Sequence, residues 1–247
     1  MGKEYSVTCV QEQGPRSYQE DRSFHKRIEN PHCYGWFLAV MDGHEGSSVA
    51  ELCAKEIGDL FTLRDADHVE EALLHLVLSL STKTLCFNAG STLSIACVLE
   101  DHNKVSVAVL GDSPVVVLDD KGHLHVSPEH NVRSNLKERE AAERRGGVYA
   151  DGYLYKGNGD FGLQLSRALG DAYFEGIILR EPEIYTIANP QWILVASDGL
   201  IDPVHSQSKV LFKKIAEYAQ RHASAGDLMQ WATSRGLNDN ATALVWG

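Results

Sequence analysis

The chain has 247 residues, a formal net charge of −11, and 43% hydrophobic and 8% aromatic residues. This length suffices for a sizeable core, and the composition is that of an ordinary globular protein. The acidic balance argues against nucleic acid or an anionic membrane as the main partner. No apolar run approaches the roughly 18 residues of a membrane helix, and no signal peptide opens the sequence, so we expect a cytoplasmic protein.

The five cysteines are odd in number and lack CxxC spacing. Their pattern predicts a reducing compartment in which they serve as small buried residues. Residues 1–6 fit the loose pattern for N-myristoylation. Strand-like sequence already begins at Tyr5, so we interpret this match as chance.

Hydrophobic periodicity predicts strands and helices in blocks along the chain. The first block has strands at 5–11, 23–28 and 34–41, then helices at 47–61 and 69–80. Three strands at 91–99, 105–110 and 115–118 are predicted to form a meander, and a charged helix follows at 135–145. Strands at 184–188 and 191–196 are expected to pair across Asn189-Pro190. Helices at 209–222 and 225–234 precede a last strand at 241–246.

Strands therefore cluster and helices come in pairs, without regular βαβ alternation. This order predicts an α+β fold with layered antiparallel sheets, and not a Rossmann or barrel fold. The sequence has no internal repeat and no low-complexity linker. We therefore expect residues 1–247 to form a single domain.

Short acidic segments stand where predicted strands begin or end. Asp42 follows the strand at 34–41, Asp198 follows the strand at 191–196, and Asp239 precedes the last strand; Glu20-Asp21 is a fourth segment. A lone Asp-Gly is usually a turn, but several strand-end carboxylates beside glycines can aim oxygen ligands at one point. Oxygen ligands without His/Cys spacing favour Mg²⁺ or Mn²⁺ over zinc.

Two such ions bridged by one carboxylate would activate a water for in-line attack, and a phosphate ester is the substrate this suits best. Arg16 offers a planar fork that can grip a phosphate dianion. His44 follows the Asp42-Gly43 corner and could protonate a leaving oxygen. The sequence has no GxxxxGK loop, GxSxG elbow or Cys-x5-Arg arrangement. It therefore lacks the residues for nucleotide hydrolysis by a P-loop, for a serine hydrolase and for a cysteine-phosphate mechanism.

Seven short sequence motifs follow one another along almost the whole chain. They are RSYQED (16–21), DGHEG (42–46), GST (90–92), GDS (111–113), SRALGD (166–171), SDG (197–199) and DN (239–240). This ordered set resembles the metal-dependent protein phosphatase family (PPM, type 2C serine/threonine phosphatases). The resemblance implies a four-layer α/β/β/α sandwich of two antiparallel sheets flanked by helix pairs, with metals at one end.

The resemblance also implies a role for each matching metal-site residue. Asp42 would bridge both ions, the Gly43 carbonyl would bind one of them, and Asp198 and Asp239 would bind the other. Glu20 and Asp21 would hold metal-bound waters. Asp112, together with Asp239, would support a weaker third ion. The expected cofactors are thus two tightly bound Mn²⁺ or Mg²⁺ ions and a weaker third.

For the reaction itself, the resemblance makes Arg16 the phosphate clamp and His44 the general acid. Phosphoserine and phosphothreonine in proteins would be the substrates, and the enzyme is expected to act as a monomer. Two alternatives stay open at this stage. One is a catalytically silent family member that acts as a regulatory binding module, and the other is a phosphatase for small phosphorylated metabolites.

The chain departs from the family pattern at some positions. Pro114 stands where an arginine often follows the GDS segment, and Glu129-His130 replaces the frequent Asp-His. Residues 166–171 are expected to brace the site through an ion pair between Arg167 and Asp171. The remaining histidines, among them His123, His125, His130 and His205, are expected to be surface or structural residues.

Overall fold

A computed structural model describes residues 5–247, and the lipidation pattern at the N-terminus lies largely outside the described residues. The strands are β1 Val7–Glu12, β2 Arg22–Asn30, β3 Cys33–Met41, β4 Gly43–His44, β5 Gly90–Ser91, β6 Leu93–Leu99, β7 Lys104–Leu110, β8 Val115–Asp119, β9 Leu124–Val126, β10 Gly147–Ala150, β11 Tyr153–Lys156, β12 Gly162–Leu163, β13 Leu169–Gly170, β14 Glu183–Ala188, β15 Pro190–Ala196 and β16 Ala241–Trp246. The α-helices are α1 Ser48–Leu60, α2 Val69–Thr84, α3 Leu136–Arg144, α4 Ser208–Gln220 and α5 Ala225–Ser234.

Two five-stranded antiparallel sheets form the centre of the fold, with strand orders β14-β7-β6-β3-β2 and β1-β16-β15-β8-β9. Successive side chains of a strand point to opposite faces. In β3, Leu38 and Val40 join the apolar cluster between the two sheets, while Phe37 and Met41 face the helices. The buried strands therefore carry apolar residues on both faces.

Each sheet is covered on its outer face by a helix pair. Helices α1 and α2 pack on the first sheet through residues such as Cys53, Ile57 and Leu73. Helices α4 and α5 cover the second sheet through residues such as Ile215 and Leu228. These layers confirm the predicted α+β, four-layer α/β/β/α sandwich of antiparallel sheets. Within residues 5–247, none of the helices has the length and apolar character needed to cross a bilayer.

Two predicted strand pairings are wrong. β14 does not pair with β15 across Asn189-Pro190; it pairs with β7, while β15 pairs with β8 and β16. Asn189 takes a left-handed conformation, and the chain crosses there from one sheet to the other. The meander is also incomplete, because β6 pairs with β7 but β8 lies in the second sheet. The buried strands of both sheets are apolar on both faces. Their local periodicity therefore does not reveal which strand pairs with which.

A small sheet of β10, β11 and β12 was missed by the sequence analysis. It has its own apolar cluster, which includes Val132, Leu154 and Phe174. Its strands are short and Gly-rich and carry polar residues, so their periodicity is weak. The sheet follows α3, whose boundaries agree with the prediction to within one residue.

Candidate active site

The predicted acidic strand ends meet at one edge of the sandwich. Asp42 follows β3, Asp198 follows β15, Asp112 follows β7 after one glycine, and Asp239 stands two residues before β16. Burial raises the pKa of Asp42 well above its ordinary value, and the negative charges of Asp21, Asp198, Asp112 and Asp239 raise it further. Burial also raises the pKa of Asp198. The group is therefore a cluster of carboxylates whose like charges repel one another.

Asp21 is the most deeply buried of these carboxylates, with 1% of its surface exposed. Its Oδ2 accepts hydrogen bonds from Ser197 Oγ and Thr242 Oγ1, each at 2.7 Å, but its buried Oδ1 has no hydrogen-bond partner in the part of the chain that the structure describes. Burial raises the pKa of Asp21 to about 6, although the two hydroxyl donors favour the charged form. An unpartnered buried oxygen among carboxylates fits a site for a hard, oxygen-preferring cation.

Glycines allow the strand ends to approach one another. A Cβ on Gly43 would lie 2.7 Å from the carbonyl oxygen of Glu20, and one on Gly199 would lie 1.9 Å from the carbonyl oxygen of Asn240. Any side chain at these positions would push the acidic segments apart. The need for glycine at Gly43 and Gly199 is therefore steric, in addition to the candidate ligand roles of the motifs that contain them.

Asn240 holds Glu20 beside the cluster. Its Oδ1 accepts from the Glu20 amide at 2.8 Å, and its Nδ2 donates to the carbonyls of Gln13 and Tyr18. The Glu20 carboxylate in turn accepts a hydrogen bond from the Gly46 amide at 2.6 Å. The second residue of the Asp-Asn motif is therefore a tether, a role that the sequence analysis did not assign.

Thr92 connects the segments that carry Asp42 and Asp112. Its Oγ1 accepts from the Asp42 amide at 3.1 Å and contacts Ser113 Oγ at 2.7 Å, and its own amide donates to the Asp42 carbonyl. Gly111 has a φ of 113°, and a Cβ there would lie 2.6 Å from Thr92 Cγ2. The GST and GDS segments therefore buttress each other and fix two candidate ligands.

Arg16 lies at the edge of the same cluster. Its Nη2 is 2.5 Å from Asp239 Oδ2, and 51% of its side chain is exposed. The candidate phosphate clamp is thus paired with a candidate metal ligand and remains accessible to solvent.

His44 is held by a buried carboxylate. Its Nε2 lies 2.9 Å from both carboxylate oxygens of Asp171, whose side chain is 0% exposed. Burial is the largest single influence and opposes protonation of His44, but the charge and hydrogen bond of Asp171, together with the charges of Asp112 and Glu20, outweigh it and raise the histidine pKa. The expected pair between Arg167 and Asp171 is wrong, because Arg167 binds Glu138 at 2.6 Å and Glu183 at 3.3 Å.

His205 is a site residue that the sequence analysis missed. Its side chain is 4% exposed, and its Nε2 lies 3.3 Å from Asp112 Oδ2 and 3.4 Å from Asp198 Oδ2. Burial works against its charge, yet Asp112, Asp198 and Glu129 raise the pKa of His205 to about 12. The same contact keeps the pKa of Asp112 below its ordinary value despite burial. No sequence spacing signalled this contact.

The surroundings of Asp112 include a residue that the sequence did not predict, while its expected metal role together with Asp239 stays a prediction. Among residues 5–247, its carboxylate groups with Asp198 and His205, with ligand atoms within 4.8 Å of one another, and Asp239 is not part of that group. Asp239 is instead engaged by Arg16. The cluster thus has two sides, one near Arg16 and one near His205.

Comparison with known proteins was made by sequence and by structure. The sequence profile of the family Protein phosphatase 2C matches residues 6–241. Protein phosphatase 2C homolog 1 of Saccharomyces cerevisiae is 23% identical over 262 residues, covering 92% of this chain and 90% of that protein. Probable protein phosphatase 2C 2 of Arabidopsis thaliana is 32% identical over 220 residues, covering 85% of this chain and 56% of that protein. The chain thus spans little more than half of the plant relative.

Solved structures with a similar fold include members of the same family. A sex determining protein of C. elegans superposes with a TM-score of 0.78 and 25% identity, over 99% of this chain and 65% of that chain. A serine-threonine phosphatase 2C of Toxoplasma gondii has the same fold, with a TM-score of 0.74 and 19% identity over 98% of this chain and 94% of that chain. Because the family profile spans most of the sequence and the fold agrees with it, the chain belongs to the protein phosphatase 2C family of hydrolases.

Proposed function

We propose that the chain is an active Mn²⁺- or Mg²⁺-dependent protein serine/threonine phosphatase. The observation that carries the proposal is the half-buried carboxylate cluster around Asp42. Burial and like charges raise the pKa of Asp42, and one buried oxygen of Asp21 has no hydrogen-bond partner among residues 5–247. The oxygen-rich donor set of this cluster fits the divalent metals used by the family. The set of family carboxylates at Asp42, Asp198 and Asp239 is complete, which favours activity over a silent binding module.

Asp42, the Gly43 carbonyl, Asp198 and Asp239 would hold the two tight ions, with Glu20 and Asp21 placed to bind their waters. When bound, such ions lower the pKa of a water to near neutrality and neutralise charge on a phosphate. The chain's own residues supply the rest of the chemistry. Arg16 is placed to turn its free donors toward the phosphate, which competes with Asp239 for the guanidinium.

His44 completes this mechanism as the proton donor to the leaving oxygen of serine or threonine. Asp171 raises the pKa of the imidazole and holds its Nε2, so Nδ1 would be the nitrogen that faces the leaving group. A Cβ on Gly90 would lie 2.2 Å from His44 Nε2 and 2.1 Å from Asp171 Oδ2. Gly90 is therefore required for the His44–Asp171 contact, and Asp171 is a positioning residue of the site.

The test is hydrolysis of a phosphothreonine peptide with Mn²⁺, with Mg²⁺ and with a chelator. Asp42→Asn removes a charged ligand from a metal centre whose stabilisation of transition-state charge would be worth several kcal/mol. We therefore expect a rate loss of more than about a hundredfold with the fold intact. Asp59→Asn, an exposed carboxylate on α1, is the matched control and should retain activity. Full turnover in chelator, or by Asp42→Asn at saturating Mn²⁺, would contradict the proposal.

The same assay separates the alternatives. A silent binding module would hydrolyse neither a phosphopeptide nor nitrophenyl phosphate under any metal. A phosphatase for small metabolites would prefer small phosphorylated compounds over peptides by kcat/KM. The cytoplasmic location and the monomeric state stay predictions from the sequence.

A further inference from the structure

A histidine nitrogen, Nε2 of His205, lies among the oxygen atoms of the carboxylate cluster. His205 Nε2 is buried between Asp112 Oδ2 and Asp198 Oδ2, at 3.3 and 3.4 Å, and within the described residues it makes no hydrogen bond. A cavity of about 80 Å³ lies beside these three residues. A buried water needs only about 10–15 Å³, so the cavity has room for an ion that keeps some of its water.

The distances from Nε2 to the two carboxylate oxygens match those between neighbouring ligands of a shared cation. With metal–ligand bonds of about 2.1 Å, adjacent ligands lie about 3.0 Å apart in an octahedral site and about 3.4 Å apart in a tetrahedral site. A simple ion pair would bring Nε2 within hydrogen-bond distance of one carboxylate. Here Nε2 is nearly equidistant from two oxygens and bonded to neither.

The other ring nitrogen is arranged as in histidines that bind metals. His205 Nδ1 contacts the Glu129 carboxylate. A histidine ligand usually donates its second N–H to a carboxylate, which fixes the tautomer and presents the lone pair of the other nitrogen to the metal. Glu129 is one of the positions at which the chain departs from the family pattern, and this contact gives that departure a role.

The loop that carries His205 is held in place by local contacts. Its backbone is left-handed, with a φ of 52°, and its amide donates to the Asp202 carbonyl at 3.0 Å. The Asp202 side chain accepts from the Gln207 amide and the Ser208 hydroxyl at the start of α4. Asp202 is therefore occupied as a cap, and His205 is the residue of this loop that reaches Asp112.

We propose that His205 is a nitrogen ligand of a divalent cation held with Asp112 and Asp198, and that this ligand makes the position prefer Mn²⁺ over Mg²⁺. Imidazole suits transition metals, whereas Mg²⁺ prefers oxygen donors. The inference rests on the proposed function only in that Asp198 is shared with the proposed two-metal centre. It replaces the expectation of oxygen-only ligands and the expected pairing of Asp112 with Asp239.

The test uses pulsed electron paramagnetic resonance on the whole protein loaded with three equivalents of Mn²⁺. We expect ¹⁴N modulation from a directly bound imidazole in the wild type and its loss in His205→Asp, which keeps a ligand but removes the nitrogen. His44→Gln is the control, because His44 is the other histidine of the site, and it should retain the signal. Wild-type protein without ¹⁴N modulation, or a signal that survives in His205→Asp, would overturn the proposal.

Metal titration by calorimetry gives a second readout that does not depend on catalysis. In His205→Asp, the ratio of the Mg²⁺ and Mn²⁺ dissociation constants at the weakest site should fall. Glu129→Gln should keep the nitrogen signal but weaken that site by about 10–100-fold. An unchanged metal ratio in His205→Asp would also overturn the proposal. Failure of the phosphatase proposal can be told apart from failure of this metal-ligand proposal. The former would appear as absent turnover, whether or not ¹⁴N modulation is seen.

Discussion

Replacing Asp21 by Asn should stabilise the metal-free protein and at the same time lower its phosphatase activity. The Asp21 carboxylate is buried; it receives two hydroxyl hydrogen bonds on Oδ2 and, from residues 5–247, none on Oδ1. An asparagine amide can keep the acceptor for Ser197 and Thr242 and turn its NH₂ group toward the neighbouring carboxylates. The substitution thus removes a buried negative charge without leaving the two hydroxyls unpaired.

The magnitude follows from the pKa of Asp21, which rises from 3.8 to about 6 on folding. Each pKa unit corresponds to about 1.4 kcal/mol, so ionisation lowers the free energy of unfolding by about 3 kcal/mol. Between about pH 4 and pH 6 the folded protein keeps a proton that the unfolded chain has lost, so stability falls as pH rises and the loss is complete above about pH 6. For a chain of this length, the recovered stability corresponds to roughly 6–12 °C in Tm.

The assay is urea unfolding and thermal melting in EDTA at pH 4 and pH 7.5. Asp21→Asn should match the wild type at pH 4 and be more stable at pH 7.5; saturating Mn²⁺ should then stabilise the wild type more than the variant. Asp119→Asn is the control of opposite sign, because hydrogen bonds from His125 and nearby amides lower the pKa of Asp119. An Asp21→Asn protein that is no more stable than wild type at pH 7.5 in EDTA would refute the reasoning.

Arg16→Ala should raise KM about tenfold or more and weaken inhibition by inorganic phosphate, because each hydrogen bond to a charged group is worth roughly 1.5–3 kcal/mol. Arg16→Lys should recover part of the loss, and unchanged KM and phosphate inhibition in both variants would reduce Arg16 to a counter-ion of Asp239. His44→Ala should slow hydrolysis of phenyl phosphate by about 10²–10⁴-fold but nitrophenyl phosphate far less, because nitrophenolate leaves without a proton. Asp171→Asn should show the same dependence on the leaving group to a smaller extent, and equal losses on both substrates would indicate a purely structural role.

Much of the layered fold and part of the site were predictable from short stretches of sequence. Apolar periodicity marks α5 and β16 at their observed boundaries, because burial of one face imposes a repeat that any local window records. Asp42, Asp198 and Asp239 were predicted at strand ends for the same reason, since each acidic residue interrupts or precedes an apolar run.

Partner choice was not predictable in this way. Arg167 and Asp171 are four residues apart, yet Asp171 pairs with His44, which lies 127 residues away along the chain. β14 pairs with β7 rather than β15, because the chain changes sheets at Asn189. Such choices depend on which surfaces the layers bring together and leave no trace in local spacing.

The sequence by itself determined the α+β class, the positions of most helices and strands, and the strand ends at which carboxylates would stand. Only the tertiary structure decided that His205 enters the cluster beside Asp112 and that Asp171 holds His44. Periodicity is a local property, whereas these contacts join segments that are distant in the chain and meet only after both sheets have packed. The raised pKa of Asp21 likewise exists only in that packed state, because burial is its largest cause.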